Sequence, residues 1–253
     1  MKYNFLTEPA KPKSVTVITP TIGSRKLEDA IVSVQNQTYK HIQHLVVVDG
    51  HEKMFDVTAN LDVRYAEHCN VNLTITPENT GGNGFYGHRI YAAYPHLINS
   101  DYIFFLDEDN WYTSNHVETL VQTLEEGNDF AYSLREIYDE NKNYICDDNC
   151  ESLGKWPIYF THDDPHYLVD TSSFAFRREF LIQVCQFWHW GWGGDRHFFY
   201  SVKDRCKWDT SGKHTLCYRL DGNPNSVTED FFIKGNEEHH KRYNGKFPWL
   251  KEI

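Results

Sequence analysis

The sequence predicts an α/β fold whose first half is a three-layer α/β/α unit, followed by a smaller second half. Short β-branched and aromatic runs recur through the first half, and each run ends in proline, glycine or acids. Segments with apolar residues at helical spacing follow these runs.

"SVTVITP", Ser14 to Pro20, is the first such run and reads as a buried strand bounded by Pro20. In "SRKLEDAIVSVQNQ", Leu27, Ile31 and Val34 stand at i, i+4 and i+7. Ser24 is the expected N-cap, and Glu28 and Asp29 suit the dipole of the first turn. "HLVVVDG", His44 to Gly50, is a second buried strand, so the three segments predict a right-handed parallel crossover. "VNLTITPENTGGNGFYGHRIYAAY" runs from an alternating strand with Leu73 and Ile75 through a Gly-rich loop. It continues into a helix with Tyr86, Ile90 and Ala93 that Pro95 limits.

"DYIFFLDEDN" is the next strand. Ser114 is expected to cap a helix with Val117, Leu120, Val121 and Leu124 on one face and Gly127 at its end. Beyond residue 127 the character changes: "FAYSLREIYDENKNYIC" reads as a strand pair, and helix signals become scarce.

The 253 residues suit one domain over 1–253, with halves at 14–127 and 128–253. A net charge of −11 argues against nucleic-acid binding, which needs clustered Lys and Arg. No apolar run reaches transmembrane length, and the N-terminal segment lacks a signal-peptide core. The expectation is a cytoplasmic protein, soluble or peripherally attached to a membrane. Six scattered cysteines are expected to be free thiols.

The chemistry is expected at the strand ends, because ligands of open parallel sheets bind outside the carboxyl edge. Asp49 ends one strand, and Asp107, Glu108 and Asp109 end another. In extended geometry Asp107 and Asp109 share a side and Glu108 takes the other. Two carboxylates ~5 Å apart repel by about 3 kcal/mol at an effective dielectric of 20. A hard divalent cation, Mn²⁺ or Mg²⁺, relieves that repulsion and bridges to phosphate oxygens. A solvated turn is the alternative.

"ITPTIGSRKLEDAIVSVQNQTYKHIQHLVVVDG", "ENTGGNGFYGHR" and "DYIFFLDEDN", in that order, resemble the nucleotide-binding half of family 2 glycosyltransferases. The resemblance implies a GT-A-type, Rossmann-like unit with a mixed sheet and an acceptor-side second half. It implies transfer of a sugar, with inversion, from a nucleotide-diphosphate donor such as a UDP-sugar to a glycan, lipid-linked or protein acceptor.

By that resemblance Thr19, Pro20 and Thr21 line the nucleoside pocket, and Asp49 accepts a hydrogen bond from the base. Asn79 and Gly81 let backbone approach the nucleotide, and His88 or Arg89 reaches the base or diphosphate. Asp109 is the metal ligand, Asp107 lies near the ribose or the metal, and Glu108 is exposed. "SSFAFRRE" resembles the stretch before the acceptor-side helix. Gly194-Asp195 stands where the family has Glu-Asp, which makes Asp195 the expected general base.

Trp188, Trp190 and Trp192 share one face if extended; core packing competes with a sugar platform for each ring. Trp192, beside Gly194, is the expected acceptor contact, and Trp111 touches either sugar or core. "LDGNPNSVTEDFF" reads as a mobile loop. The resemblance implies that His239 or His240 of the polar tail, or else His214, completes a metal site; the alternatives are a solvated tail, or Lys241 and Arg242 clamping the diphosphate. The rival functions are a sugar-phosphate nucleotidyltransferase and a non-catalytic carbohydrate-binding protein.

Overall fold

The computed structural model describes residues 12–60, 71–161, 163–222 and 227–251. Strand β1 (Val15–Thr21), buried at every position, leads into helix α1 (Leu27–Gln35), strand β2 (Ile42–Val48) and helix α2 (Met54–Asn60). Strand β3 (Val71–Ile75), helix α3 (His88–Ala93) and strand β4 (Tyr102–Phe105) follow. Next come the short strand β5 (Trp111–Tyr112), helix α4 (His116–Glu125) and the hairpin strands β6 (Phe130–Tyr138) and β7 (Tyr144–Asp147). Strand β8 (Phe174–Arg177), helices α5 (Arg178–Val184) and α6 (Gly194–Val202), strand β9 (Trp208–Arg219) and helix α7 (Glu229–Arg242) complete the described elements.

These strands form one mixed sheet in the order β3-β2-β1-β4-β8-β6-β9-β5, with β7 also paired to β6. β3, β2, β1 and β4 are mutually parallel, and β8 enters antiparallel to both β4 and β6. From β1 the chain moves outward to β2 and β3, then returns across β1 to β4. The carboxyl ends of β1 and β4 therefore bound a topological switch point, where a crevice opens.

Local chemistry explains the framing helices. α1 buries Leu27, Ala30, Ile31 and Val34. Ser24 Oγ accepts the Lys26 N–H at 3.2 Å, so the expected cap forms a turn just ahead of the helix. α4 buries the expected apolar face, but Ser114 does not cap it. Gln37 Oε1 instead accepts the Val117 N–H at 2.9 Å, while its amide donates to Ser33 and Thr113 carbonyls at 2.9 and 2.7 Å.

The second half departs from the expected scarcity of helices. α7 replaces the loop and polar tail, although residues 223–226 of that stretch lie outside the described residues. Thr228 caps it, acids fill its first turn and His239 to Arg242 fill its last, which suits the macrodipole. Its buried stripe is only Phe232, Gly235 and His239, so the periodic apolar signal is weak. Gly235 is needed there, because a Cβ would stand 2.6 Å from Cys150 Sγ and from Tyr159. The described cysteines, Cys146, Cys150, Cys185, Cys206 and Cys217, are free as expected.

Candidate active site

A cavity of about 640 Å³ opens over the carboxyl ends of β2, β1 and β4. Pro20, Thr21 and Ile22 form its middle, Asp49, Lys53, Asn79, Gly81 and Gly82 one end, and Asp107, Glu108 and Asp109 the other. Tyr86, Gly87 and His88 close a further side.

Asp107 leaves the buried β4 and is held by three hydrogen bonds to two residues. Its N–H donates to Ser172 Oγ at 3.0 Å, the Ser172 hydroxyl donates to its Oδ2 at 3.1 Å, and the Tyr91 hydroxyl donates to Oδ1 at 2.9 Å. Burial, then the Asp109 and Asp170 carboxylates, push its pKa up to about 8. Burial also raises Asp109; Lys26 works against that rise, while Asp170 and Asp221 add to it.

Glu108 is not the exposed bystander expected. It accepts from the Thr21 hydroxyl and from the Ser24 N–H at 3.1 Å, tying the β1–α1 loop to the end of β4. The alternation that set it apart fails because Asp107 to Asn110 is a turn, with the Asn110 N–H donating to the Asp107 carbonyl at 3.2 Å.

Two half-buried carboxylates whose charged forms are disfavoured by desolvation, with Asp109 acting on Asp107 as well, suit a hard divalent cation. Asp107 and Asp109 supply the oxygen donors such an ion takes. No cluster of three or more His, Cys, Asp or Glu in metal-ligating arrangement occurs among the described residues. Mg²⁺-type ions commonly use one or two carboxylates and leave the other positions to water and phosphate.

At the other end, Asp49 is 2% exposed and holds the Gly-rich loop. Oδ1 accepts from Thr80 N and Thr80 Oγ1, each at 2.7 Å, and Oδ2 from Gly81 N at 2.8 Å and Asn79 Nδ2 at 3.1 Å. Gly81 is confined, since a Cβ would meet the Tyr86 carbonyl at 2.5 Å. Two residues expected here are elsewhere. Thr19 is fully buried with its hydroxyl 2.9 Å from His44 Nε2, and Arg89 lies over the Phe85 ring and donates to the Thr80 carbonyl at 3.1 Å. Pro20, Thr21 and His88, named together with them from the sequence, do line the cavity. His88 Nδ1 donates to the Trp190 carbonyl at 2.9 Å, which leaves Nε2 as its other polar atom.

Asp195 is in the first turn of α6, its carboxylate accepting the Arg196 N–H at 2.7 Å. It is not among the cavity's lining residues, but Asp170 and His88 both act on its charge. Burial raises its pKa, Asp170 adds to the rise, and Arg196 and His88 oppose it. Gly194 lies so close to His88 that a Cβ would stand 2.5 Å from Nδ1.

The alternating tryptophans do not share a face, because the segment is a 3-10 turn and a bend rather than a strand. Trp188 is core, Trp190 stacks on His197 at 3.8 Å, and Trp192 is 68% exposed beside the Arg196 guanidinium. Trp111 packs on Tyr138 and Arg219, away from the cavity lining.

The C-terminal histidines do not join the acids. His239 is fully buried, with Nδ1 donating to the Asn149 carbonyl at 2.8 Å; His240 is exposed near Phe247. His214 faces Asp147 at 3.7 Å, Lys241 pairs with Glu238 at 3.0 Å, and Arg242 donates to the Tyr159 carbonyl at 2.9 Å.

Sequence reasoning missed the support beneath the acids. Arg135, buried in β6, pairs with Asp148 and Glu151 at 2.7 Å and with Asp170 at 3.0 Å. Asp170 accepts the Ser172 N–H at 2.9 Å, and Ser172 holds Asp107, so Arg135 underpins the strand-end acids through two groups. An arginine at a buried position of a largely apolar strand was the available signal. Tyr91 and Lys53 carried none.

Residues 16–185 match the sequence profile of Glycosyl transferase family 2. No curated protein sequence matches the chain. Among solved structures, S. aureus TarS 1-349 in complex with UDP aligns with a TM-score of 0.60 and 15% identity, over 92% of this chain and 74% of that one. The same S. aureus protein in complex with UDP-GlcNAc aligns at 0.58 and 12%, over the same shares of the two chains. At such identities the likeness is one of fold, the GT-A type. No described helix is long and apolar enough to cross a membrane.

Proposed function

The chain belongs to glycosyl transferase family 2, and from that membership we propose that it moves a sugar from a nucleoside-diphosphate donor, a UDP-sugar foremost, to an acceptor hydroxyl with inversion. The observation that carries this reading is the cavity across β2, β1 and β4, with two desolvated carboxylates at one end and a glycine-rich wall at the other. The neighbours solved with UDP and UDP-GlcNAc support the choice of donor.

Pro20, Thr21, Asn79 and Gly81 wall the nucleoside, with Asp49 holding their loop in place. Asp109 and Asp107 are the residues that would hold a divalent cation, Mn²⁺ or Mg²⁺. Such an ion, when bound, supplies positive charge against the diphosphate oxygens. Asp195 takes the proton from the acceptor hydroxyl as its oxygen bonds to the anomeric carbon. The bond from that carbon to the diphosphate oxygen breaks, and the nucleoside diphosphate leaves with the bonding pair. Burial of Asp195 raises its basicity, which suits a general base. The exposed Trp192 ring, beside the guanidinium of the adjacent Arg196, offers a stacking face to a sugar-bearing acceptor.

The experiment is a nucleotide-release screen over UDP-, GDP- and dTDP-sugars, with and without Mn²⁺. Mn²⁺-dependent release from UDP-sugars is expected; release from none of them contradicts the proposal.

A further inference from the structure

We propose that Lys53 reads the donor's base, its ammonium donating a hydrogen bond to a carbonyl oxygen of a uracil-type pyrimidine. The inference rests on the donor site proposed above and assigns its base end.

Position comes first. β2, β1 and β4 are consecutive in the sheet, and neighbouring strands lie ~4.8 Å apart, so the ends of β2 and β4 are about 10 Å apart. A nucleotide with its diphosphate at Asp107 and Asp109 extends its nucleoside across Pro20 and Thr21 toward the end of β2. Asp49, Asn79 and Lys53 line the cavity there.

The second observation is the saturation of Asp49. Besides its four close donors, the Thr76 hydroxyl approaches Oδ1 at 3.4 Å. A carboxylate has about four lone-pair sites, so little capacity remains for a base N–H.

Lys53 is the opposite case. It is half-buried and lines the same end of the cavity, and among the described residues its ammonium has no hydrogen bond or ion pair. The backbone places it there. Gly50 has φ 105°, a conformation that side chains rarely adopt, and the Lys53 N–H donates to the Gly50 carbonyl at 3.0 Å, folding the chain back after β2. An ammonium only donates, so its partner on a base is an acceptor. Uracil presents carbonyls at C2 and C4, whereas cytosine keeps the C2 carbonyl and carries at C4 an amine, itself a donor; the lysine therefore prefers uracil by bonding the C4 oxygen.

The test measures binding of UDP, UMP, uridine and CDP in Mn²⁺ to wild type, Lys53→Met and Lys53→Arg, with uridine read by competition against UDP. A hydrogen bond from a charged donor predicts that Lys53→Met weakens UDP, UMP and uridine alike by roughly tenfold. It also narrows the preference for UDP over CDP, and Lys53→Arg keeps most of the affinity. Weakening of UDP with unchanged uridine places the lysine on the diphosphate and overturns the inference; unchanged binding of all four ligands does the same. Failure of the wild-type protein to bind UDP overturns the donor site itself, an outcome distinct from either.

Discussion

Asp109 and Asp195 are both carboxylates raised by burial, yet their surroundings separate the roles proposed for them. Asp109 shares a desolvated corner with Asp107, whereas Asp195 begins a helix with an exposed indole nearby. Asp109→Asn is expected to abolish Mn²⁺-dependent UDP binding, as calorimetry would show. Asp195→Asn is expected to keep that binding and lose at least about 100-fold in transfer, the usual scale of a general base. Wild-type transfer by the Asp195 variant would end its assignment. Trp192→Ala is expected to raise the acceptor KM while leaving the donor KM unchanged. Which residues reach the cavity was only partly legible. Strand-end acids could be read from charge and position; of the residues named beside them, Pro20, Thr21 and His88 line the cavity, whereas Thr19 and Arg89 do not. At the end of a strand, one residue decides which side of the sheet a side chain meets. Glu108 was misread because alternation was carried past the strand into a turn.

Among elements, those with a strong period were legible and those with a narrow buried stripe were not. α1 and α4 carry four apolar residues each on one face, and their positions followed from spacing. α7 buries only Phe232 among its large apolar side chains, and its glycine reads as a breaker until Cys150 and Tyr159 are seen against it. Phe232 packs with Ile137 and Cys150, joining α7 to β6 and the loop that carries Asp148. Phe232→Ala is expected to cost about 3–5 kcal/mol, the usual range for emptying a buried phenylalanine site, measured by urea unfolding. The tryptophan segment misled for a related reason: alternation implies a shared face only in a strand, and here the chain turns.

The whole molecule is joined by its sheet, since β8 and β6 continue the sheet begun by β3, β2, β1 and β4. The parallel first half was legible because each crossover is local in sequence. The parallel pairing of β6 with β9 was not, because partners so distant in sequence leave no local mark. Stability should also respond to pH across the molecule. Burial holds His44 and His116 down to about 3, far below an ordinary histidine. Between about pH 6.5 and 3 the unfolded chain binds protons there that the folded chain refuses, so the contribution of these two histidines is full above 6.5 and is lost with acidification. Asp107, held up to about 8, works in the opposite direction over the same range, so the check is a difference: between pH 7 and 5 the Tm of His116→Gln should rise relative to that of wild type.

The central claim is that the strand-end cavity is a metal-assisted nucleotide site. Calorimetric titration of UDP into the wild-type protein and into Asp109→Asn, each with Mn²⁺ and with chelator, tests it most directly. The expected result is binding by wild type in Mn²⁺ that chelator removes and that the variant lacks; equal binding by both proteins in chelator would contradict the claim.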